Sequence, residues 1–157
     1  MPVLAHPGPS APAPPGIRLE VPESWAASPA GDALLRAGGP GASGSVEVVV
    51  RHRVQPPQEA ADAVVTALAT AAGGPSGEVE EPFVVEIGGR EWHARNVSWD
   101  EAGTPVVEVH LVTSLAATDA VTPVLHVAGR VAGDGLDADY DVLQQVLETL
   151  VVEEVAA

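Results

Sequence analysis

The stretch EVEEPFVVEIGGREWHARNVSWDEAGTPVVEVHLVTSLAATDAVTPVLHVAGRV, residues 78–131, decides the fold. It contains four runs in which Val and other strand-forming residues alternate with polar ones, and turn signals separate the runs. We therefore predict four consecutive strands, at residues 78–87, 90–99, 104–114 and 121–131. Gly88-Gly89, between the first two runs, is the signal of a two-residue hairpin turn. Strands joined by short turns pair antiparallel, so this stretch is predicted to form a meander.

The segments on either side of the meander add further strands and two helices. Residues 45–54 alternate in the same way, and residues 17–21 form a shorter alternating run. Residues 58–72 and about 137–154 instead have apolar residues at helical spacing. Residues 32–36 fit either a short strand or a loop, which the glycines at 38–41 are predicted to end. The order β-β-α-β-β-β-β-α predicts an α+β fold: an antiparallel sheet of about six strands, with an inserted helix and a C-terminal helix packed on it.

The length of 157 residues is that of about one domain. Residues 1–16 contain six prolines and are predicted to be a flexible leader, which leaves residues 17–157 as a single α+β domain. The N-terminus has neither a basic segment nor an apolar core, so no secretory signal is expected. No apolar run approaches the roughly 20 residues that span a bilayer. The expectation is a cytoplasmic protein; the sequence leaves the oligomeric state open.

The charge of the chain excludes several classes of partner. The net charge is −15, and the basic residues are seven arginines with no lysine. A surface this acidic repels phosphate, which argues against binding to nucleic acid or to an anionic membrane. The absence of cysteine removes disulfides, thiolate metal sites and cysteine nucleophiles.

Element order and turn signals resemble the PsbP-like superfamily, which includes the Mog-type Ran-binding factor and the LpqN-type proteins of actinobacteria. The segments that carry this resemblance are GIRLEVPESW at 16–25, VEVVVRHRV at 46–54, IGGREW at 87–92 and DYDVLQQVL at 139–147. It covers about residues 16–154. The chain departs from LpqN-type lipoproteins in lacking a signal peptide and a lipobox cysteine. The resemblance implies a binding role and supplies no catalytic residue.

The five histidines are candidate metal ligands and catalytic groups. His52, His93, His110 and His126 stand singly on four strands, and His6 lies in the leader, so no ligand pair at metal-binding spacing occurs. Neither a metal nor another cofactor is predicted. Glu108 and His110 share one face of a strand and could act with His126 as acid and base, but this spacing also arises on any solvated strand face. The chain is predicted not to be an enzyme.

Strict alternation assigns most basic residues of the strands to common faces. If these faces coincide, one side of the sheet is rich in Arg and His, while Val107, Val109 and Leu111 face the core on the other side. Arg and Trp are enriched in binding hot spots. The predicted function is therefore protein–protein interaction, as an adaptor or chaperone-like module, with an acidic partner segment on this side. The alternative is a carrier for a small apolar ligand, held between the sheet and the C-terminal helix. The predicted partner-binding residues are Arg51, Arg53, His93, Arg95, Trp99, His110, His126 and Arg130.

Overall fold

The computed structural model describes residues 3–6, 16–27, 35–40, 44–55, 61–74, 77–114, 122–133 and 136–153. They form eleven strands and two helices. In chain order these are β1 (Val3–His6), β2 (Gly16–Glu20), β3 (Ala26–Ala27), β4 (Leu35–Pro40), β5 (Gly44–Gln55), α1 (Ala61–Gly73), β6 (Glu78–Val79), β7 (Phe83–Ile87), β8 (Arg90–Glu101), β9 (Thr104–Ser114), β10 (Thr122–Gly133), α2 (Leu136–Leu147) and β11 (Val151–Glu153).

The main sheet has the order β3-β4-β5-β10-β9-β8-β6, with β7 also paired to β8, and all its pairs are antiparallel. The α+β fold class is thus confirmed. The hairpin at Gly88-Gly89 also forms, and both glycines have the positive φ, 60° and 77°, that such a turn requires. The first predicted strand of the meander is interrupted, because Pro82 has no N–H to donate to the ladder. Its two pieces, β6 and β7, pair with different parts of β8.

A second, three-stranded sheet, with the order β1-β2-β11, was not predicted from the sequence. Its central strand β2 was expected to belong to the single sheet. The C-terminal helix is also shorter than expected: it ends at Leu147, and the β-branched pair Val151-Val152 continues as β11 against β2. Val3–His6, within the predicted leader, pairs with β2. Residues 7–15 lie outside the described residues, and the domain limits stay a prediction.

Strand β4 corrects another expectation, since Gly38 and Gly39 lie within the strand and do not end it. A Cβ on Gly38 would lie 2.6 Å from the carbonyl oxygen of Val46, and one on Gly39 would lie 2.8 Å from the Trp25 ring. These glycines are therefore required by close approach of the neighbouring strand and of the turn that Trp25 anchors.

The two helices cover opposite faces of the main sheet. The larger core lies under α2 and includes Leu143 and Val146 of the helix, Leu19 of β2, and Val109 and Leu111 of β9. On the other face, Val64 and Val65 of α1 pack against Val112 and Val124. Because successive side chains of a strand alternate, β9 contributes to both cores.

Candidate functional site: the Arg/His face and the apolar cleft

The register of the sheet brings the predicted site residues to one side. We call the eight positions the Arg/His face. Arg51 of β5 lies opposite His126 of β10. His126 lies opposite Val112 of β9, and Val112 lies opposite His93 of β8. In the same way Arg95 lies opposite His110, Arg130 opposite Glu108, and Trp99 opposite Val106; Arg53 has Val124 as its Cα partner. This is the side on which α1 packs.

The centre of the Arg/His face is a buried hydrogen-bond chain. His110 Nε2 lies 2.9 Å from Glu108 Oε1, and His110 Nδ1 lies 2.8 Å from His126 Nε2. Since a carboxylate only accepts, Nε2–H of His110 donates to Glu108, and Nδ1 of a neutral His110 accepts from Nε2–H of His126. The two ring centroids are 5.1 Å apart and the rings are within 11° of parallel. That separation equals the N···N distance plus one ring radius on each side, so the rings meet edge to edge in a nearly linear bond.

Beside this chain, Arg130 links two carboxylates and an indole ring. Its Nη2 donates to Glu101 Oε2 at 2.8 Å, its Nη1 lies 3.5 Å from Glu108 Oε2, and its guanidinium carbon lies 5.7 Å from the centre of the Trp99 ring. Trp99 Nε1–H also donates to Glu101 Oε2, at 3.4 Å. The hydrogen bond from Arg130, with smaller contributions from Trp99 and from the charge of Arg130, holds the pKa of Glu101 below its ordinary value.

The Arg/His face is not an open basic surface. His110 and His126 are each only 3% exposed. Arg95 Nη1 donates to the Glu80 carbonyl at 3.0 Å, and His93 Nε2 lies 3.5 Å from Glu91. Because Arg130 already faces two carboxylates, its surroundings are net acidic, which does not favour the acidic partner expected from the sequence. The accessible part is the half-buried margin at Arg51, His93, Trp99 and Arg130.

The opposite face of the sheet carries an apolar cleft of about 360 Å³ between β7, β9 and α2. Its walls include Val109 and Leu111 of β9, with Leu147 of α2, all members of the main core. At the mouth, Phe83 is 38% exposed. The remaining lining residues are Val85, Glu86, Ile87, Tyr140, Gln144 and Glu148. The cleft lies where the alternative hypothesis placed an apolar pocket, but its exposed lining residues show that it is open to solvent.

The sequence did not identify Phe83 as a surface residue. Phe83 and Val84 are adjacent in β7, and one side chain points to each face of the sheet; both are exposed, at 38% and 53%. Alternation predicts which face a residue takes, but burial depends on what covers that face. The only signal in the sequence was the run Phe83-Val84-Val85 directly after Pro82, which marks an apolar strand beginning beside an interruption.

Within the described ranges, no group of three or more His, Asp and Glu side chains is placed to hold a metal ion. No helix in that part of the chain is long and apolar enough to cross a membrane.

Comparison with solved structures shows what the fold is similar to. The crystal structure of LpqN, described as involved in cell envelope biogenesis of Mycobacterium tuberculosis, superposes with a TM-score of 0.71 at 16% identity and covers 97% of this chain and 91% of that chain. A structure from Bacteroides thetaiotaomicron VPI-5482 gives a TM-score of 0.50 at 16% identity, over 88% of this chain and 45% of that chain. No family model and no curated protein matches the sequence. The chain has an LpqN-like fold, and the wider PsbP-like grouping stays a prediction.

Proposed function

We propose that this chain is a non-enzymatic protein-interaction module, adaptor or chaperone-like, that holds an apolar side chain of another protein in the cleft beside α2. The observation that carries this proposal is the cleft itself, with Phe83 38% exposed at its mouth. An apolar anchor that fills a desolvated pocket is the usual centre of a binding hot spot. Four of the residues that line the cleft, Ile87, Val109, Leu111 and Leu147, belong to the main core, so the pocket is preformed and little ordering opposes binding.

The non-enzymatic part of the proposal rests on how the polar groups are distributed. The Glu108–His110–His126 chain lies on the α1 side of the sheet, whereas the cleft lies on the α2 side. Its two histidines are buried, so a substrate in the cleft cannot reach them. A general acid or base must come within hydrogen-bond reach of the reacting atom. The LpqN-like fold is compatible with this proposal.

A pair of neighbouring variants on α2 tests the proposal. Gln144 is exposed and lines the cleft, whereas Gln145 is exposed and does not line it. Gln144→Trp fills the cleft without a change in the core, and Gln145→Trp adds the same ring elsewhere on the helix. A partner recovered by affinity purification should be retained by the Gln145 variant and lost by the Gln144 variant. Equal recovery by both variants would refute a role for the cleft.

The margin of the Arg/His face is a second proposed contact region. Its support is the Trp99–Arg130 pair, which Glu101 fixes in place, so that binding would cost little side-chain entropy. Trp99→Ala removes the ring of this pair and should abolish recovery of a partner that uses this face; unchanged recovery would refute the contact region. The Gln144→Trp variant distinguishes this contact from the cleft, because the two lie on opposite sides of the sheet.

A carrier for a small apolar ligand is the second candidate function, and the cleft volume favours it. About 360 Å³ lies within the range of roughly 300–1,000 Å³ typical of small-molecule sites. A neutral probe is appropriate because Glu148 lies at the rim. Nile red should gain fluorescence with wild type and with Gln145→Trp, and not with Gln144→Trp. Native mass spectrometry of the purified chain should then show a retained ligand; a ligand-free mass together with recovery of a protein partner would favour the interaction module.

A further inference from the structure

Strand β7 ends the main sheet with an open edge. Among the described residues it pairs with β8 alone, so its outward N–H and C=O groups have no strand partner. Proteins commonly protect such edges with very short strands, bulges or charges. The five residues of β7 instead expose Phe83 and Val84 and carry one charge, at Glu86. An edge of this kind is a template for adding another strand.

The two faces of β7 define what an added strand must present. Phe83, Val85 and Ile87 lie on the cleft side, so apolar side chains suit that face. Glu86 also borders the cleft, but alternation directs its side chain to the other face, where Glu91 is its direct cross-strand neighbour; both residues are exposed. Like charges directly opposite each other destabilise a sheet. A cation on the open side of Glu86 would relieve this repulsion.

The charge around this edge also favours a basic partner strand. Glu80 and Glu81 are exposed immediately before β7, and Glu148 is exposed at the cleft. A second copy of this chain is disfavoured because each copy carries a net charge of −15. We propose that β7 binds an extended basic segment of another protein as an added strand, with alternate apolar side chains on the cleft side and Lys or Arg opposite Glu86. This inference rests on the proposed protein-binding function and names its partner.

The test uses synthetic peptides on the full chain. The probe is a fluorescein-labelled peptide of roughly seven residues in which Val and Lys alternate; the matched peptide has Glu in place of Lys. Fluorescence anisotropy should show binding of the Val/Lys peptide, weakened by added salt, and much weaker binding of the Val/Glu peptide. Glu86→Arg should weaken the Val/Lys peptide about three- to tenfold and strengthen the Val/Glu peptide. Glu23→Arg, an exposed substitution on the turn after β2, makes the same charge change and should leave both unchanged.

Two further measurements separate strand addition from simple charge attraction. The N–H groups of residues two apart in an extended peptide point to the same side, so the Val/Lys peptide is N-methylated either at its Val or at its Lys residues. One of these two peptides cannot donate its hydrogen bonds to the edge and should lose binding, whereas the other should keep it. Phe83→Ala should weaken binding of the unmethylated peptide by removing the apolar contact. Equal binding of both methylated peptides, or equal effects of Glu86→Arg and Glu23→Arg, would overturn the inference. The Nile red and affinity-purification results with Gln144→Trp are independent of these outcomes, so the proposed function can survive that failure.

Discussion

Removal of both imidazoles from the Glu108–His110–His126 chain should cost less than the sum of the two single removals. His126→Leu is of similar size but leaves Nδ1 of His110 without its partner, in a side chain that is 3% exposed. His110→Leu leaves both Nε2 of His126 and Oε1 of Glu108 without their hydrogen-bond partner on His110. An orphaned buried polar group costs roughly 1–3 kcal/mol. We expect the free energy of unfolding of each single variant to fall by at least that amount.

The double variant His110→Leu, His126→Leu removes both ends of the histidine–histidine bond together. Removal of both partners of a hydrogen bond is nearly neutral for that bond, and Glu108 keeps its contact with Arg130 at 3.5 Å. The double variant should therefore be more stable than the sum of the single effects by about 1–3 kcal/mol.

Urea unfolding monitored by tryptophan fluorescence, at fixed pH and with the slope m compared across the four proteins, measures this coupling. A difference of 1 kcal/mol shifts the melting temperature by roughly 2–4 °C for a chain of this length, so thermal unfolding gives an independent check. Additivity within about 0.5 kcal/mol would refute the reasoning, since it would mean that the two rings do not share a hydrogen bond.

Three other predictions follow from packing, charge and backbone conformation. Gly129→Val places side-chain atoms against Leu143, whose Cδ1 lies 2.7 Å from a Cβ at that position, and should lower the free energy of unfolding by about 1–3 kcal/mol. In urea unfolding, the double variant Gly129→Val, Leu143→Ala should lose less than the sum of the two single losses. The pKa of Glu101 is lowered in the folded protein, so its contact with Trp99 is kept at pH 4.5, the ordinary carboxyl pKa, and is lost in more acidic solution. Trp99 fluorescence should therefore change below pH 4.5, and Glu101→Gln should abolish that change. Gly88 has φ 60°, and a Cβ there would lie 2.7 Å from the carbonyl oxygen of Leu150, between α2 and β11. Gly88→Ala should therefore lower the melting temperature, with a loss of at least about 1 kcal/mol; an unchanged temperature would contradict the turn geometry.

The sequence predicted the local features of the fold and, within the buried hydrogen-bond chain, the proximity of Glu108 to His110. Alternation showed that Glu108 and His110 share a face of β9, because side chains two apart on a strand point the same way. The same rule placed the eight residues of the Arg/His face on common sides of their own strands. It allowed His110 and His126 to meet across adjacent strands but could not establish their 2.8 Å contact, since that contact depends on the register between β9 and β10.

The meander of residues 78–131 is what the sequence by itself determined: period-two alternation and the glycine turn are local properties of the chain. The tertiary structure alone decided where strands and helices end and what they cover. The Val151-Val152 pair leaves the predicted helix because β2, distant in sequence, offers it hydrogen bonds. The same packing of α2 over β9 forms the cleft and leaves Phe83 at its mouth. Exposure is a property of the assembled layers, because each face of a strand is buried only where another element lies on it.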